Sequence, residues 1–179
     1  RVKIINIEKV PSEGGAIICA NHNSMLDMFF LGYKLKRWIY WMAKEELFRN
    51  PVLSCILTKL GAFPVKRGSG DTAPIKQSYK ILKEGKLLGI FPHGTRIAHS
   101  KKEEKKVKPG VVMIAMHSGA PIVPALIQGS YKLFGRMNVI FGDPFTIEPE
   151  KDKKYTKEEL VEYSRQIIKK IYSLAEGVK

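Results

Sequence analysis

Residues 16–27 read AIICANHNSMLD, and this stretch decides the fold class. The five residues from Ala16 to Ala20 are all apolar, which is typical of a strand buried on both faces of a sheet. Polar residues follow, and Ser24 with Asp27 three residues later has the pattern of a helix N-cap. We therefore predict that a buried strand ends at Ala20 and that a helix covers residues 25–34.

Apolar runs and helical patterns alternate along the rest of the chain. Further strands are predicted at residues 38–43, 62–65, 87–91, 121–128 and 137–141. Helices are predicted at residues 51–60, 71–83, 109–117 and 156–174, the second capped by Asp71 and the last by a capping box of Thr156 and Glu159. This alternation predicts an α/β fold, with a mixed, mainly parallel sheet flanked by helices in a single domain over residues 1–179.

Charge narrows the function more than length does. The chain has 179 residues, of which 44% are hydrophobic, so it can bury a core, and its two cysteines cannot form a disulfide framework. Its net charge is +14, and more than half of the excess lies between residues 66 and 108. Such a charge favours an anionic partner. No helix-turn-helix, zinc or RNP-like pattern points to nucleic acid, so an anionic membrane or a phosphorylated substrate is preferred.

Hydropathy excludes a transmembrane helix within these residues. The longest strongly apolar runs have six residues, as in Val111–Met116, whereas a spanning helix needs about 20. The chain begins at Arg1, which leaves open an anchor in a preceding segment. The aromatic residues are expected mainly in the core, with some of them possible contacts for lipid: Phe29, Phe30, Trp38, Tyr40 and Trp41.

His22 and Asp27 form the first candidate site, where the buried strand leads into a helix. Ligands collect at this edge of open α/β sheets. On one continuous helix the two residues would lie about 140° apart, so they meet only if His22 precedes the helix and Asp27 lies in its first turn. Asp27 would then orient the imidazole, and His22 would accept a proton from a hydroxyl. The alternative is that Asp27 only interacts with the helix dipole.

Two basic turns follow later strands. Arg67 comes after the strand at 62–65, and its guanidinium suits a phosphate. The turn His93-Gly94-Thr95-Arg96 follows the strand at 87–91 and adds a second arginine and a hydroxyl. A lysine run over residues 101–108 surrounds this turn with positive potential. Ordinary solvated surface charge is the alternative for each of these residues.

Taken in order, these motifs resemble a known family. The patterns are His-x4-Asp at 22–27, Gly-x-Phe-x-x-x-Arg at 61–67, Phe-Pro-x-Gly-Thr-Arg at 91–96 and Val-Pro at 123–124. Lys44 and Leu47 match a Lys-x-x-Leu stretch that often precedes the second motif. The chain is thereby similar to the glycerolipid acyltransferases, and most of all to the bacterial 1-acyl-sn-glycerol-3-phosphate acyltransferases. The likeness covers about residues 16–125.

The resemblance implies a glycerol-3-phosphate acyltransferase-like fold and a fatty acyl transfer to the sn-2 hydroxyl of lysophosphatidate. It implies His22 as general base, Asp27 as its orienting partner, and a phosphate site with Arg67 and Arg96, shaped by Gly94 and Thr95. Lys44 and position 93 are expected to bind substrate as well. The acyl donor would be a thioester of coenzyme A or acyl carrier protein, with no metal or other cofactor. The enzyme would act at the cytoplasmic face of the membrane, as a peripheral protein or through an N-terminal anchor.

His93 departs from the family pattern, which has glutamate there. A carboxylate accepts hydrogen bonds, whereas a neutral imidazole accepts only one and an imidazolium accepts none. This difference keeps two alternatives open. The chain transfers acyl groups to another acceptor, such as glycerol 3-phosphate or another lysophospholipid, or it binds anionic lipid without turnover.

Overall fold

A single twisted sheet organises the protein in a computed structural model that describes residues 1–66, 72–96 and 107–176. Its seven strands lie in the order β1-β7-β6-β2-β5-β3-β4. All neighbouring strands are parallel except β6 and β7. The predicted mixed, mainly parallel α/β sheet is confirmed. The strands are β1 (Val2–Ile5), β2 (Ala16–Ala20), β3 (Ile39–Lys44), β4 (Ala62–Val65), β5 (Leu87–Ile90), β6 (Ile122–Gly129) and β7 (Met137–Phe141).

Helices cover both faces of the sheet. One hydrophobic cluster includes residues of α1 and α2, and a second cluster, built from the alternate strand residues, includes residues of α3, α4 and α5. None of the described helices is both long and apolar enough to cross a bilayer. The helices are α1 (Asp27–Gly32), α2 (Pro51–Lys59), α3 (Ala73–Lys83), α4 (Gly110–Ser118) and α5 (Lys157–Ser173), with short 3-10 helices at Ile7–Lys9 and Glu45–Phe48.

Strand β2 lies at the centre of the sheet, which explains its apolar sequence. It pairs with β5 on one side and β6 on the other, and its five residues are fully buried. Ile18 belongs to one hydrophobic cluster and Ile17 to the other, because successive side chains point to opposite faces. The carboxyl end of β2 lies where the strands of the sheet end. The candidate site begins there, at residue 21.

Side-chain capping pairs begin two helices, and the one predicted from the sequence, at α5, is confirmed. Asn50 accepts hydrogen bonds from the backbone N–H groups of Val52 and Leu53, and Pro51 begins α2. The capping box of Thr156 and Glu159 is present at the start of α5. These pairs act over a few residues, so the sequence shows them directly.

The start of α1 differs from the prediction. Ser24 is not its N-cap, because the helix begins at Asp27, and it covers six residues rather than residues 25–34. The backbone N–H of Ser24 instead donates to the Asp27 carboxylate. The edge strand β1 was also missed, and the predicted cap at Asp71 lies outside the described residues.

Candidate active site

The site begins where the Asn21 side chain replaces backbone pairing at the end of β2. Asn21 is buried, its Nδ2 donates to the Ile127 carbonyl at 2.8 Å, and its Oδ1 accepts from the Ile127 N–H at 2.7 Å. Both backbone groups of this β6 residue toward β2 are thus satisfied by a side chain. The backbone of residues 21–26 can therefore leave the sheet while the backbone groups of Ile127 keep their hydrogen bonds. His22 is thereby placed at the carboxyl end of β2.

The Asp27 carboxylate is the centre of a hydrogen-bond network. Its Oδ2 accepts from His22 Nδ1 at 2.9 Å, from Asn23 N at 2.6 Å and from Ser24 N at 2.8 Å. Its Oδ1 accepts from the Tyr131 hydroxyl at 2.5 Å. The Asp27 side chain is fully buried. A buried carboxylate is tolerated here because every donor around it points at one of its oxygens.

The network also determines which imidazole nitrogen carries a proton. Burial raises the pKa of Asp27, but the hydrogen bonds from His22, Ser24, Tyr131 and Asn23 outweigh it and hold that pKa below its ordinary value. Asp27 is therefore a carboxylate, which only accepts hydrogen bonds, and His22 Nδ1 must donate. In neutral His22 the lone pair then lies on Nε2, which has no hydrogen-bond partner among the described residues. This arrangement can accept a proton from a bound hydroxyl.

Tyr131 is a site residue that no sequence motif indicates. Burial raises the pKa of its phenol, as does its hydrogen bond to Asp27, so the hydroxyl remains a donor. Its ring packs 6.0 Å from the Phe30 ring. Tyr131 lies 104 residues from Asp27 in the chain and carries no motif. No local pattern could have indicated this contact.

Aromatic stacking holds the other side of the imidazole. The His22 ring lies 4.0 Å from the Phe91 ring at an interplanar angle of 14°, and Phe91 lies 5.0 Å from Trp41 at 13°. Trp41 is buried, and it crosses Gly89, where an added Cβ would come within 2.3 Å of the indole ring. The three stacked rings run from the ends of β2 and β5 to the interior of β3, so His22 is restrained on one ring face and at Nδ1.

The turn after β5 carries the third motif next to His22. Gly94 has a φ of 64° and its N–H donates to the Phe91 carbonyl at 2.8 Å. His93 is buried, with 4% exposure, while Thr95 and Arg96 are exposed. Lys108 returns to this turn, because its N–H donates to Pro92 and its side chain crosses Gly94, where a Cβ would lie 3.1 Å from Lys108 Cδ. In the sequence, Lys108 is recognisable only as part of a lysine run.

The remaining predicted residues lie farther along the same edge. Lys44 ends β3, and its Nζ forms an ion pair with Glu46 at 2.9 Å. Arg67 and most of the lysine run lie outside the described residues. Since β2, β5, β3 and β4 are neighbours in the sheet, their carboxyl ends form one row with a spacing of roughly 4.8 Å per strand. His22 and Lys44 therefore belong to strand ends about 10 Å apart.

Two cavities lie at opposite ends of the parallel strands, one at their carboxyl ends and one at their amino ends. One of about 330 Å³ adjoins the row of strand ends beyond β4, with Phe63, Lys66 and Pro74 in its wall. The other, of about 450 Å³, lies at the opposite edge beside Gly15, His117 and Pro121. Within the three described ranges, no group of three or more His, Cys, Asp or Glu residues could hold a metal ion.

Comparison with known proteins identifies the family of the chain. The profile of the family described as Acyltransferase matches residues 1–128. A 1-acyl-sn-glycerol-3-phosphate acyltransferase of Bacillus subtilis is 40% identical over 149 residues, which cover 80% of this chain and 73% of the relative. The chain belongs to the Acyltransferase family. A 1-acyl-sn-glycerol-3-phosphate acyltransferase of Borreliella burgdorferi is also similar to this acyltransferase. It is 27% identical over 97% of the chain and 73% of the relative.

A solved structure supports the fold of the acyltransferase independently. The crystal structure of the 1-acyl-sn-glycerophosphate (LPA) acyltransferase from Thermotoga maritima superposes with a TM-score of 0.70. The match covers 98% of this chain and 71% of the other, at 23% sequence identity. At this identity the likeness speaks for the fold alone. The chemistry of the acyltransferase has to be argued from the site.

Proposed function

We propose that this acyltransferase moves a fatty acyl group from an acyl thioester to the sn-2 hydroxyl of lysophosphatidate, giving phosphatidate. The observation that carries the proposal is the His22–Asp27 pair, with Nδ1 held on a buried carboxylate and Nε2 directed away from it. The names of the Bacillus and Borreliella relatives support lysophosphatidate as the acceptor. The basic row of strand ends suits its phosphate.

The reaction is a direct transfer with His22 as general base. His22 Nε2 takes the proton of the acceptor hydroxyl. At the same time, the hydroxyl oxygen forms a bond to the carbonyl carbon of the thioester. The carbon–sulfur bond breaks, and the imidazolium returns the proton to the leaving thiolate. Asp27 stabilises the imidazolium that forms in between. No acyl-enzyme is needed, because the hydroxyl itself is the nucleophile.

Phosphate binding supplies the positioning. Arg67 and Arg96 would hold the acceptor's phosphate, with Gly94 and Thr95 shaping the turn and Lys44 adding charge farther along the row. A clamped phosphate fixes the hydroxyl near Nε2, which makes the attack effectively intramolecular. We propose an acyl donor carried by coenzyme A or by acyl carrier protein, whose acidic groups match a chain of net charge +14. The enzyme would work as a peripheral protein at the cytoplasmic face of the membrane.

An acceptor panel tests the assignment. Purified protein receives a labelled palmitoyl thioester with lysophosphatidate, glycerol 3-phosphate or lysophosphatidylcholine, and the labelled lipid product is identified. We expect phosphatidate from lysophosphatidate at a much higher kcat/KM than any other product. Preferred transfer to glycerol 3-phosphate or lysophosphatidylcholine would assign the other acceptor instead.

A second candidate, a lipid-binding protein without turnover, is favoured by His93 alone. His93 is buried where the family has glutamate. We expect the wild-type protein to turn over and His93→Glu to raise kcat/KM for lysophosphatidate by about tenfold, the value of roughly one charge-assisted hydrogen bond. His117→Glu at the opposite edge is the matched control. Activity that appears only in His93→Glu would identify the natural chain as the non-catalytic form.

Tyr131→Phe tests whether the Asp27 network serves catalysis. The variant removes one donor to Asp27 Oδ1 but keeps the ring that packs on Phe30. We expect kcat to fall about tenfold with little change in KM, since one hydrogen bond to a charged group contributes about 1.5–3 kcal/mol. Steady-state kinetics measure the split between kcat and KM, and Tyr33→Phe, at the exposed residue that follows α1, is the control. An unchanged kcat would show that Tyr131 only packs.

A further inference from the structure

The loop between β6 and β7 exposes two large apolar side chains side by side. Leu133 is 87% exposed and Phe134 is 88% exposed. The loop is closed by its own hydrogen bonds, from Ser130 N–H to the Arg136 carbonyl at 2.9 Å and from Gly135 N–H to the Lys132 carbonyl at 2.8 Å. The two side chains therefore project from a tight turn with a defined shape.

The backbone of this turn is itself costly. Phe134 has a φ of 65°, in the left-handed region that bulky residues rarely adopt. Glycine at this position would relieve the backbone and remove the exposed ring. Strained residues that expose apolar surface are typical of sites where a ligand or surface supplies the missing contacts.

Through Tyr131 the loop also lies against the start of α1, where two more apolar side chains are exposed. Tyr131 connects the loop to α1 through Phe30 and Asp27. Leu26 and Phe29 of this region are 47% and 51% exposed, so Phe29 is one of the aromatic residues that lie outside the core. We call Leu26, Phe29, Leu133 and Phe134 the apolar rim.

The charge around the apolar rim is uniformly positive. Lys132 and Arg136 flank the loop tip and are exposed. No aspartate or glutamate occurs in residues 28–44 or 129–142, the stretches that follow Asp27 and surround the loop. Apolar side chains flanked by cations match a bilayer that carries anionic lipid, because the cations meet the headgroups while the tip enters the acyl boundary.

We propose that the apolar rim is the surface by which this protein docks on an anionic lipid bilayer, with Leu133 and Phe134 inserted. The proposal deepens the proposed function, since a lysolipid acceptor would be taken from that bilayer, but it is tested without substrate. Leu26 belongs to the apolar rim and immediately precedes Asp27 in the chain. Docking would therefore bring the bilayer surface close to the catalytic pair. The loop that enters the lipid also contains Tyr131, so the same segment donates a hydrogen bond to the catalytic carboxylate.

Vesicle co-sedimentation tests the docking surface. The full chain is mixed with vesicles of phosphatidylcholine alone or with phosphatidylglycerol added, and the bound fraction is measured. We expect preferential binding to the anionic vesicles and a partition coefficient roughly tenfold or more lower for Leu133→Ser/Phe134→Ser, since each inserted side chain leaves water. Met113→Ser, an exposed apolar residue on α4, is the matched control. Lys132→Gln/Arg136→Gln should weaken binding to anionic vesicles only.

The readouts separate this proposal from the proposed function. Circular dichroism and size-exclusion chromatography accompany each variant. Equal binding by the folded Leu133→Ser/Phe134→Ser variant and the wild type would overturn the docking surface, as would the absence of vesicle binding by the wild type. A wild-type dimer that the same variant converts to a monomer, with vesicle binding unchanged, would assign the rim to a second copy of the chain. None of these outcomes depends on acyl transfer.

Discussion

His22→Ala should reduce kcat for phosphatidate formation by roughly 10²–10⁴-fold, the contribution of a positioned general base. KM for lysophosphatidate should change little, because the proposed phosphate ligands are arginines outside the His22–Asp27 pair. Turnover of a labelled palmitoyl thioester measures both constants.

His117→Ala is the control for this prediction. His117 is exposed and stacks on Tyr79 at the opposite edge of the sheet, 4.4 Å between ring centroids, so its loss should leave kcat unchanged. Removal of the His22 ring uncovers one face of Phe91, and a thermal unfolding curve therefore accompanies the kinetics. A folded His22→Ala protein with wild-type kcat would refute the general-base role.

The fold could be predicted from the sequence because its central elements carry local signals. β2 is apolar throughout since both of its faces are covered, and β4 and β7 have the predicted bounds. β1 escaped notice because it is a four-residue edge strand that contains an exposed lysine, and its pairing partner β7 lies more than 130 residues away. Pairing at that distance leaves no periodicity in the sequence.

The candidate site likewise contains contacts that are local in the sequence, which could be predicted, and contacts between distant residues, which could not. The His22–Asp27 contact spans five residues, and the sequence predicted that it forms only if His22 precedes the helix, as it does. Asn21 and Tyr131 reach partners 106 and 104 residues away, which only the folded sheet brings close. The error at Ser24 has a different origin. Ser24 Oγ accepts from the Leu26 N–H at 3.3 Å, as in a capping turn, but the helix itself begins only at Asp27.

The second large effect is expected at Asp27, where Asn and Ala substitutions should separate charge from hydrogen bonding. In Asp27→Asn, the amide oxygen can keep the three donors that now reach Oδ2, and the Tyr131 oxygen can accept from the new amide group. The imidazole then keeps its tautomer but loses its counter-charge. Asp27→Ala additionally leaves the N–H groups of Asn23 and Ser24 without their hydrogen-bond acceptor. We expect kcat to fall roughly 10²-fold for Asn and up to about 10⁴-fold for Ala.

Stability as a function of pH supplies an independent measure of the same carboxylate. The pKa of Asp27 is held below its ordinary value of 3.8, so its contribution to folding is complete at pH values above that value. The contribution is lost as the pH falls through the lower pKa of the folded state. Asp27→Asn should therefore cost about 1–3 kcal/mol of unfolding free energy near neutral pH, and this cost should shrink as the pH falls below 3.8. Urea unfolding across this range measures it. A cost that is the same at acidic and neutral pH would mean that the charge of Asp27 does not stabilise the loop, and the loss of activity would then reflect disturbed packing around His22.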